Sequence, residues 1–178
     1  MPGSLAGIPP MVIGGSIISA VSLIFHIIGF STTYWYKEKK AVSDIHVHFG
    51  LWKSCGPVYG VERCVNIADQ PIHNSHIIAT EVLECLALGA FLAAVTFAFL
   101  KMFVLTEQGI LFVLTGLLNL MAGVFALIGV IVFATTSNGW FTLDTSNLHY
   151  SFGLCIVGGI GGVFSGIVFI LAWRWVRN

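Results

Sequence analysis

The sequence Phe-Gly-Leu-Trp-Lys-Ser-Cys at residues 49–55 is the most informative stretch of this chain, together with Trp35 upstream and Cys64 downstream. The stretch lies in a polar segment between two long apolar runs. Cysteines in such a segment fit a disulfide formed in the secretory pathway. We therefore predict that Cys55 and Cys64 pair and hold a small folded loop.

The composition of the chain indicates a membrane protein. Of its 178 residues, 57% are hydrophobic and 9% are charged, and the mean hydropathy is +0.93. Soluble domains carry about a quarter charged residues. The formal net charge is zero without a basic or acidic block, so no nucleic-acid partner is predicted. The other two cysteines, Cys85 and Cys155, fall in apolar runs and are expected to be inert packing residues.

Four apolar runs are long enough to cross a bilayer, which takes about 20 helical residues. They cover about residues 11–33, 77–100, 108–135 and 152–173. The sequence thus predicts an all-α four-helix membrane bundle that forms a single domain over residues 1–178. An even number of spans places both termini on one side of the membrane. The loops, at about residues 34–76 and 136–150, lie on the other side.

The first loop holds nine of the sixteen Asp, Glu, Lys and Arg residues of the chain. It is too long for a bare turn. Residues 45–49 alternate apolar and polar side chains, and residues 57–61 are typical of a turn that leads into a second extended segment. We predict a small antiparallel sheet whose strands are linked by the disulfide. Closing this short loop stabilises the fold by about 3 kcal/mol on chain-entropy arguments.

The charges and the cysteines disagree about orientation. Five of the eight Lys and Arg residues lie in the first loop, so the positive-inside rule places that loop in the cytoplasm. A loop that folds around a disulfide needs the oxidising side, and folded loops translocate despite their charge. We give priority to the disulfide. The prediction is an extracellular first loop, cytoplasmic termini and a plasma-membrane location.

Small and polar residues inside the spans predict helix contacts. Gly158, Gly162 and Gly166 recur every four residues in the fourth span. Small residues at this spacing let helix backbones approach closely in lipid. We expect this stripe to pack inside the bundle, and contact with another subunit is the alternative. Asn119 and His26 are each expected to hydrogen-bond a neighbouring span, and a proton or metal site is the less favoured alternative for His26.

Two carboxylates open the second span. Glu81 and Glu84 are three residues apart and therefore point to one helix face. A charge at mid-membrane costs about 3 kcal/mol, so we expect both carboxylates to stay at the interface, near the helix N-terminus. Ion coordination or contact with a partner is the alternative.

Catalytic motifs are absent from the sequence, which contains no nucleophile elbow, His-Glu-x-x-His helix, phosphate loop or Cys-x-x-Cys pair. We predict a non-enzymatic protein without cofactor or small-molecule substrate. A zinc site can be imagined from the loop histidines His46, His48, His73 and His76. Histidines in polar loops are usually solvated, however, and no metal site is predicted.

A signature runs through the first loop in the order Trp35, Gly50, Leu51, Trp52, Cys55 and Cys64. In a four-span chain of this length, it resembles the claudin, peripheral myelin protein and epithelial membrane protein superfamily. The third span, over residues 112–121, is similar to the epithelial membrane protein branch. The resemblance implies a left-handed bundle carrying an extracellular sheet, with Trp52 wedged toward the top of the bundle and Cys55 bonded to Cys64.

The resemblance favours two functions of different classes. The first is cell–cell contact or junction organisation, in which the first loop and the pair Trp140 and Phe141 of the second loop contact this chain or another claudin-like protein, in cis or in trans. The alternative is an auxiliary subunit whose glycine-rich fourth span docks on a channel or receptor. The chain ends at residues 176–178 without the C-terminal motif of many claudins, which favours the alternative. Membrane lipids are the remaining predicted partners.

Overall fold

The computed structural model describes residues 10–39, 46–104, 109–138, 141–142 and 144–177. Its four helices are α1 Pro10–Ser31, α2 Ser75–Phe103, α3 Ile110–Ala134 and α4 Tyr150–Arg177. Each helix is long and apolar enough to cross a membrane. The predicted bundle of four apolar helices is therefore confirmed.

The start of α2 is defined by a side-chain cap. The Asn74 side chain accepts hydrogen bonds from the backbone N–H groups of His76 and Ile77, both at 3.0 Å. These are two of the donors that a helix leaves unpaired at its N-terminus. The helix therefore begins at Ser75, slightly earlier than hydropathy alone indicates.

The helices pack as a ring in which α1 contacts α2 and α4, and α3 contacts the same two helices. Glycines let α3 and α4 approach each other closely: a Cβ atom on Gly123 would lie 2.5 Å from the Gly159 carbonyl oxygen. Across the centre, the Ser19 hydroxyl of α1 donates to Asn119 Oδ1 of α3 at 2.7 Å. Close backbone contact and buried polar bridges are the interactions that join helices in lipid.

A four-stranded antiparallel sheet lies between α1 and α2. Its strands are β1 Tyr36–Lys39, β2 His46–Phe49, β3 Lys53–Val58 and β4 Val61–Asn66, in spatial order β1-β2-β3-β4. The predicted small antiparallel sheet is confirmed. The β3–β4 turn has positive φ angles at Tyr59 (53°) and Gly60 (79°), as a type I′ hairpin turn requires.

One face of the sheet packs on the bundle at its base. The strand register places Tyr36, Phe49, Ser54 and Val65 in one row on this face. Tyr36 and Phe49 are buried in a core cluster that also contains Leu51 of the first loop and helix residues such as Phe133. The sheet is therefore fixed to the bundle by its β1–β2 half.

The second loop covers the outer edge of β1. It contains the short strands β5 Ser137–Asn138 and β6 Phe141–Thr142, and a 3₁₀ turn at Thr145–Asn147. Beyond this turn Leu148 bridges to Tyr36, and the His149 N–H donates to the Trp35 carbonyl at 2.9 Å. Within the described part of the chain, β4 is thus the edge of the four-stranded sheet that no other strand or loop segment pairs with.

Candidate functional site

The disulfide links the edge strand β4 to its neighbour β3. Cys55 and Cys64 are register partners on β3 and β4, and their sulfur atoms are bonded. The predicted disulfide is confirmed. Cys55 is buried whereas Cys64 is exposed, so the bond ties the exposed edge strand to a strand that is anchored inside.

The two signature tryptophans both bond to the end of α1. Trp35 is fully buried, and its indole N–H donates to the Gly29 carbonyl at 2.7 Å. The Trp52 indole donates to the Phe30 carbonyl at 2.9 Å. These carbonyls belong to the last turn of a helix, where no intrahelical donor reaches them. The tryptophans therefore fasten the loop to α1.

Trp52 lies at the loop end of the bundle, as the resemblance implies, but it is less deeply buried than Trp35. Trp52 lies over the end of α1. Its ring is edge-on to the Phe30 ring, with 5.0 Å between the ring centroids, and 37% of the residue's surface stays exposed. The tryptophan that is wedged into the bundle is Trp35, which lies edge-on to Phe133 at 4.8 Å. The reason is position: Trp35 directly follows α1, whereas Trp52 lies in the connection between β2 and β3 at the margin of the sheet.

The remaining signature residues, Gly50 and Leu51, bring the loop against the bundle. A Cβ atom on Gly50 would collide with the Thr32 carbonyl oxygen, so only glycine fits there without a shift of the backbone. Leu51 is fully buried in the core cluster below the sheet. These two residues are therefore packing residues.

The outer hairpin carries an exposed apolar surface. Val58, Tyr59, Val61 and Val65 expose 46%, 102%, 63% and 47% of their area. We call these four residues the hairpin patch. The strand register puts Val58, Val61 and Val65 on the same face as Phe49, farther from the bundle. The patch thus continues the packed face of the sheet into open space.

The family model for the PMP-22/EMP/MP20/Claudin family matches residues 11–173. The chain belongs to this family. No curated protein matches its sequence closely enough to count as a relative. The chain is accordingly a tetraspan membrane protein of the PMP-22/EMP/MP20/Claudin family, with four apolar helices and a disulfide-bonded sheet between the first two.

The glycine stripe of this claudin-family chain lies inside the bundle. A Cβ atom would lie 3.0 Å from the Ser22 carbonyl at Gly158, 3.2 Å from the Asn119 carbonyl at Gly162 and 2.7 Å from the Gly116 carbonyl at Gly166. The three glycines therefore contact α1 and α3 of the same chain. They offer no surface to a second subunit in this arrangement.

The two carboxylates of α2 occupy different environments. Glu81 Oε2 lies 3.4 Å from His73 Nε2 near the loop end of the helix. Glu84 is fully buried, so the expectation that both carboxylates stay at the interface is wrong for Glu84. Space explains the difference: a Cβ atom on Gly129 would lie 2.6 Å from Glu84 Oε1, and the glycine leaves room for the carboxylate between the helices.

The loop histidines fall into separate groups. His48 Nε2 lies 3.5 Å from Glu62 Oε1, and the His48 ring stacks on Tyr34 at 4.2 Å. Burial lowers the pKa of His48, and the Glu62 carboxylate partly offsets this effect. His73 pairs with Glu81 instead, and His76 is exposed. The imagined four-histidine zinc site is therefore not assembled among the described residues.

Two candidate contacts cannot be placed in the same way. Trp140 lies outside the described residues, and of Phe141 only the backbone is described, in β6.

Conversely, the structure assembles a group that the sequence did not predict: His26, Glu84 and Cys155. The three residues lie in three different apolar runs, and their proximity depends on how three helices are rotated. The sequence contains the three residue types but gives no spacing that joins them.

Proposed function

We propose that this tetraspan protein organises contacts between membranes or between neighbours in one membrane, and that the free edge of β4 with the hairpin patch is its binding surface. The observation that carries the proposal is the exposure of every residue of β4, on a sheet edge with no partner in the described chain. The partner is a second copy of this chain or a related tetraspan.

The chemistry of the edge supports this assignment. An edge strand presents unpaired backbone N–H and C=O groups, which pair readily with another strand. Most isolated edges are blunted by charge or covered by a loop. In this chain the second loop covers β1, whereas β4 is uncovered in the described part of the chain. β4 carries the apolar residues Val61 and Val65, with Glu62, Arg63 and Cys64 between them.

The hairpin is also rigid, which lowers the entropy cost of binding. The Cys55–Cys64 bond fixes β4 to β3, and the type I′ turn fixes the tip at Tyr59. The base is fixed by Trp35 and Phe49 in the core cluster. A preformed edge of this kind suits repeated side-by-side assembly.

The same proposal assigns the environment of the loops. The disulfide supports placing both loops outside the cell, with the termini in the cytoplasm and the chain in the plasma membrane. The four helices then contact lipid through their outer side chains, such as Ile24, Leu117 and Ile160. The protein acts without catalysis in this proposal.

Freeze-fracture imaging of cells that express only this tetraspan tests the proposal. We expect strands or particle rows at cell contacts for the wild type. The double variant Val61→Lys, Val65→Lys should lose them, because two like charges per chain would face each other across paired edges. Thr145→Lys, an exposed position on the second loop, is the matched control and should keep them.

Surface biotinylation should give equal delivery for all variants, so that lost strands report lost contact. Absence of strands in the wild type, or intact strands in the double variant, would refute the edge proposal. Co-purification of a channel without strands would support the auxiliary-subunit alternative. The glycine stripe that motivated this alternative is occupied within the bundle.

A further inference from the structure

A cluster of three potential metal ligands is buried between three helices. His26 of α1, Glu84 of α2 and Cys155 of α4 are each fully buried. One ligand atom from each residue lies within 4.8 Å of the other two. No other group of three or more such side chains is this close in the described ranges.

The cluster lies in the half of the bundle that is nearer the loops. His26 and Cys155 are each five residues from the loop ends of their helices, at Ser31 and Tyr150. At about 1.5 Å per residue, this places them about 8 Å below those ends. Cys155 belongs to the same buried hydrophobic cluster as Trp35, and Phe152 packs against that cluster.

The two ring nitrogens of His26 have different roles, and only one of them is a hydrogen-bond donor. The Nε2 atom lies 3.2 Å from the Glu84 backbone carbonyl, and since a carbonyl only accepts, Nε2 carries the hydrogen. Nδ1 of the neutral ring is then an acceptor. It faces Glu84 Oε2 at 3.6 Å, and neither this nitrogen nor either carboxylate oxygen has a hydrogen-bond partner.

Two buried acceptors that face each other need a cation or a shared proton between them. A hydrogen bond through a shared proton would bring the two atoms to about 2.7–3.2 Å. Two ligands of a tetrahedral zinc ion, each about 2.1 Å from the metal, lie about 3.4 Å apart. The observed separation of 3.6 Å between His26 Nδ1 and Glu84 Oε2 is closer to the metal-bridged distance.

The surroundings also resemble those of a metal ligand set. Histidines that bind metal usually donate their second ring N–H to a carbonyl or carboxylate, as His26 does. Glycines leave room for the other two ligands: a Cβ atom on Gly29 would lie 2.5 Å from Cys155 Sγ, and one on Gly129 would lie 2.6 Å from Glu84 Oε1.

We propose that His26 Nδ1, a Glu84 carboxylate oxygen and Cys155 Sγ bind one Zn²⁺ ion that joins α1, α2 and α4. A nitrogen, an oxygen and a sulfur ligand suit zinc, which accepts all three donor types in tetrahedral sites. The Cys155 thiol releases its proton to solvent as it binds. One carboxylate and one thiolate then neutralise the ion, which removes the cost of a net charge inside the membrane. This proposal differs from the sequence prediction, which included no metal site.

Metal analysis of the purified full chain tests the site. The full chain is expressed in zinc-supplemented medium and reconstituted into nanodiscs. Elemental mass spectrometry should then find about one zinc ion per wild-type chain. Glu84→Gln and Cys155→Ser should each reduce zinc affinity by about tenfold or more. Glu81→Gln and Cys85→Ser remove the same chemical groups outside the cluster and should retain one zinc.

A titration of the wild type covers the case in which the ligand variants fail to fold. Chelator-treated wild type should show a thermal midpoint that rises with added Zn²⁺. With Co²⁺ it should develop a thiolate-to-metal charge-transfer band. A folded wild type with no bound metal and no response to Zn²⁺ would overturn the proposal. It would indicate that a shared proton lies between His26 Nδ1 and Glu84 Oε2. Unchanged zinc content in both ligand variants would overturn it as well.

Discussion

At the scale of single residues, two indole groups explain how the sheet is held on the helix bundle. Trp35 and Trp52 donate to consecutive carbonyls, those of Gly29 and Phe30, in the last turn of α1. A helix end that is covered by a domain needs such donors wherever water cannot reach its carbonyl groups. The difference in burial between the two tryptophans leads to a direct test.

Trp35→Phe should destabilise the protein more than Trp52→Phe. Without the Trp35 indole, the buried Gly29 carbonyl would accept only the 3.4 Å hydrogen bond from the Thr32 hydroxyl. A buried polar group that loses its main hydrogen bond lowers the free energy of unfolding by about 1–3 kcal/mol. At Trp52, which is 37% exposed, water can replace the lost indole N–H. Thermal unfolding in detergent compares the two, and equal losses would contradict the capping role of Trp35.

Acidification should weaken the loop through His48. This side chain is buried, and burial lowers its pKa; Glu62 raises it, while Lys37 and His149 lower it further. The folded state therefore binds fewer protons than the unfolded state between the lowered pKa and about 6.5. Stability rises with pH through this window and is lost as pH falls below about 6.5.

His48→Gln should flatten this dependence because glutamine does not titrate. Thermal midpoints of the purified protein, measured at several pH values on both sides of about 6.5, give the slope. His76→Gln, at an exposed position, is the control and should keep the wild-type slope. An unchanged slope in His48→Gln would show that other groups carry the pH response.

Residue types predicted some of these roles and not others. The disulfide was predictable because Cys55 and Cys64 stand in a polar segment. The burial of Glu84 was not, since it depends on the rotation of α2 and on space left by Gly129 of α3. Sequence spacing predicts which residues share one face of a helix, but it does not predict which residues pack against that face.

At the scale of elements, glycine contacts set the distance between α3 and α4. Gly166→Ala should destabilise the bundle, since its Cβ atom would lie 2.7 Å from the Gly116 carbonyl and 2.9 Å from the Leu120 backbone nitrogen. Overpacking of this kind costs about 1–3 kcal/mol. Gly153→Ala on the same helix meets no atom within 4 Å and should leave the thermal midpoint unchanged or higher.

A bundle that accepts Gly166→Ala at wild-type stability would show that α3 and α4 can separate freely. The sequence pattern predicted close packing of the stripe but not its neighbours. It also missed β1, because Tyr-Lys-Glu-Lys has the composition of a solvated turn and forms a strand only through pairing with β2. Local sequence patterns do not predict which distant segments pair as strands.

At the scale of the whole molecule, hydropathy and the loop signature were sufficient for the architecture. Four apolar runs and one cysteine pair predicted four helices and a stapled sheet. The union of the two loops was not predictable, since it rests on backbone bonds from His149 and Ser151 to Trp35 and Tyr34. Those bonds form only once α1 and α4 are adjacent.

This union determines how the molecule would carry mechanical tension. A pull on Tyr59 at the hairpin tip cannot peel β4 away, because the Cys55–Cys64 bond is covalent. The force passes through β2 and β1 to the end of α1, and through Ile67–Asp69 to the start of α2. The end of α1 is tied to the start of α4 by the bond between the Thr32 and Ser151 hydroxyls at 2.7 Å. Three membrane anchors therefore share one load, and the sheet resists extraction as a unit with these helices.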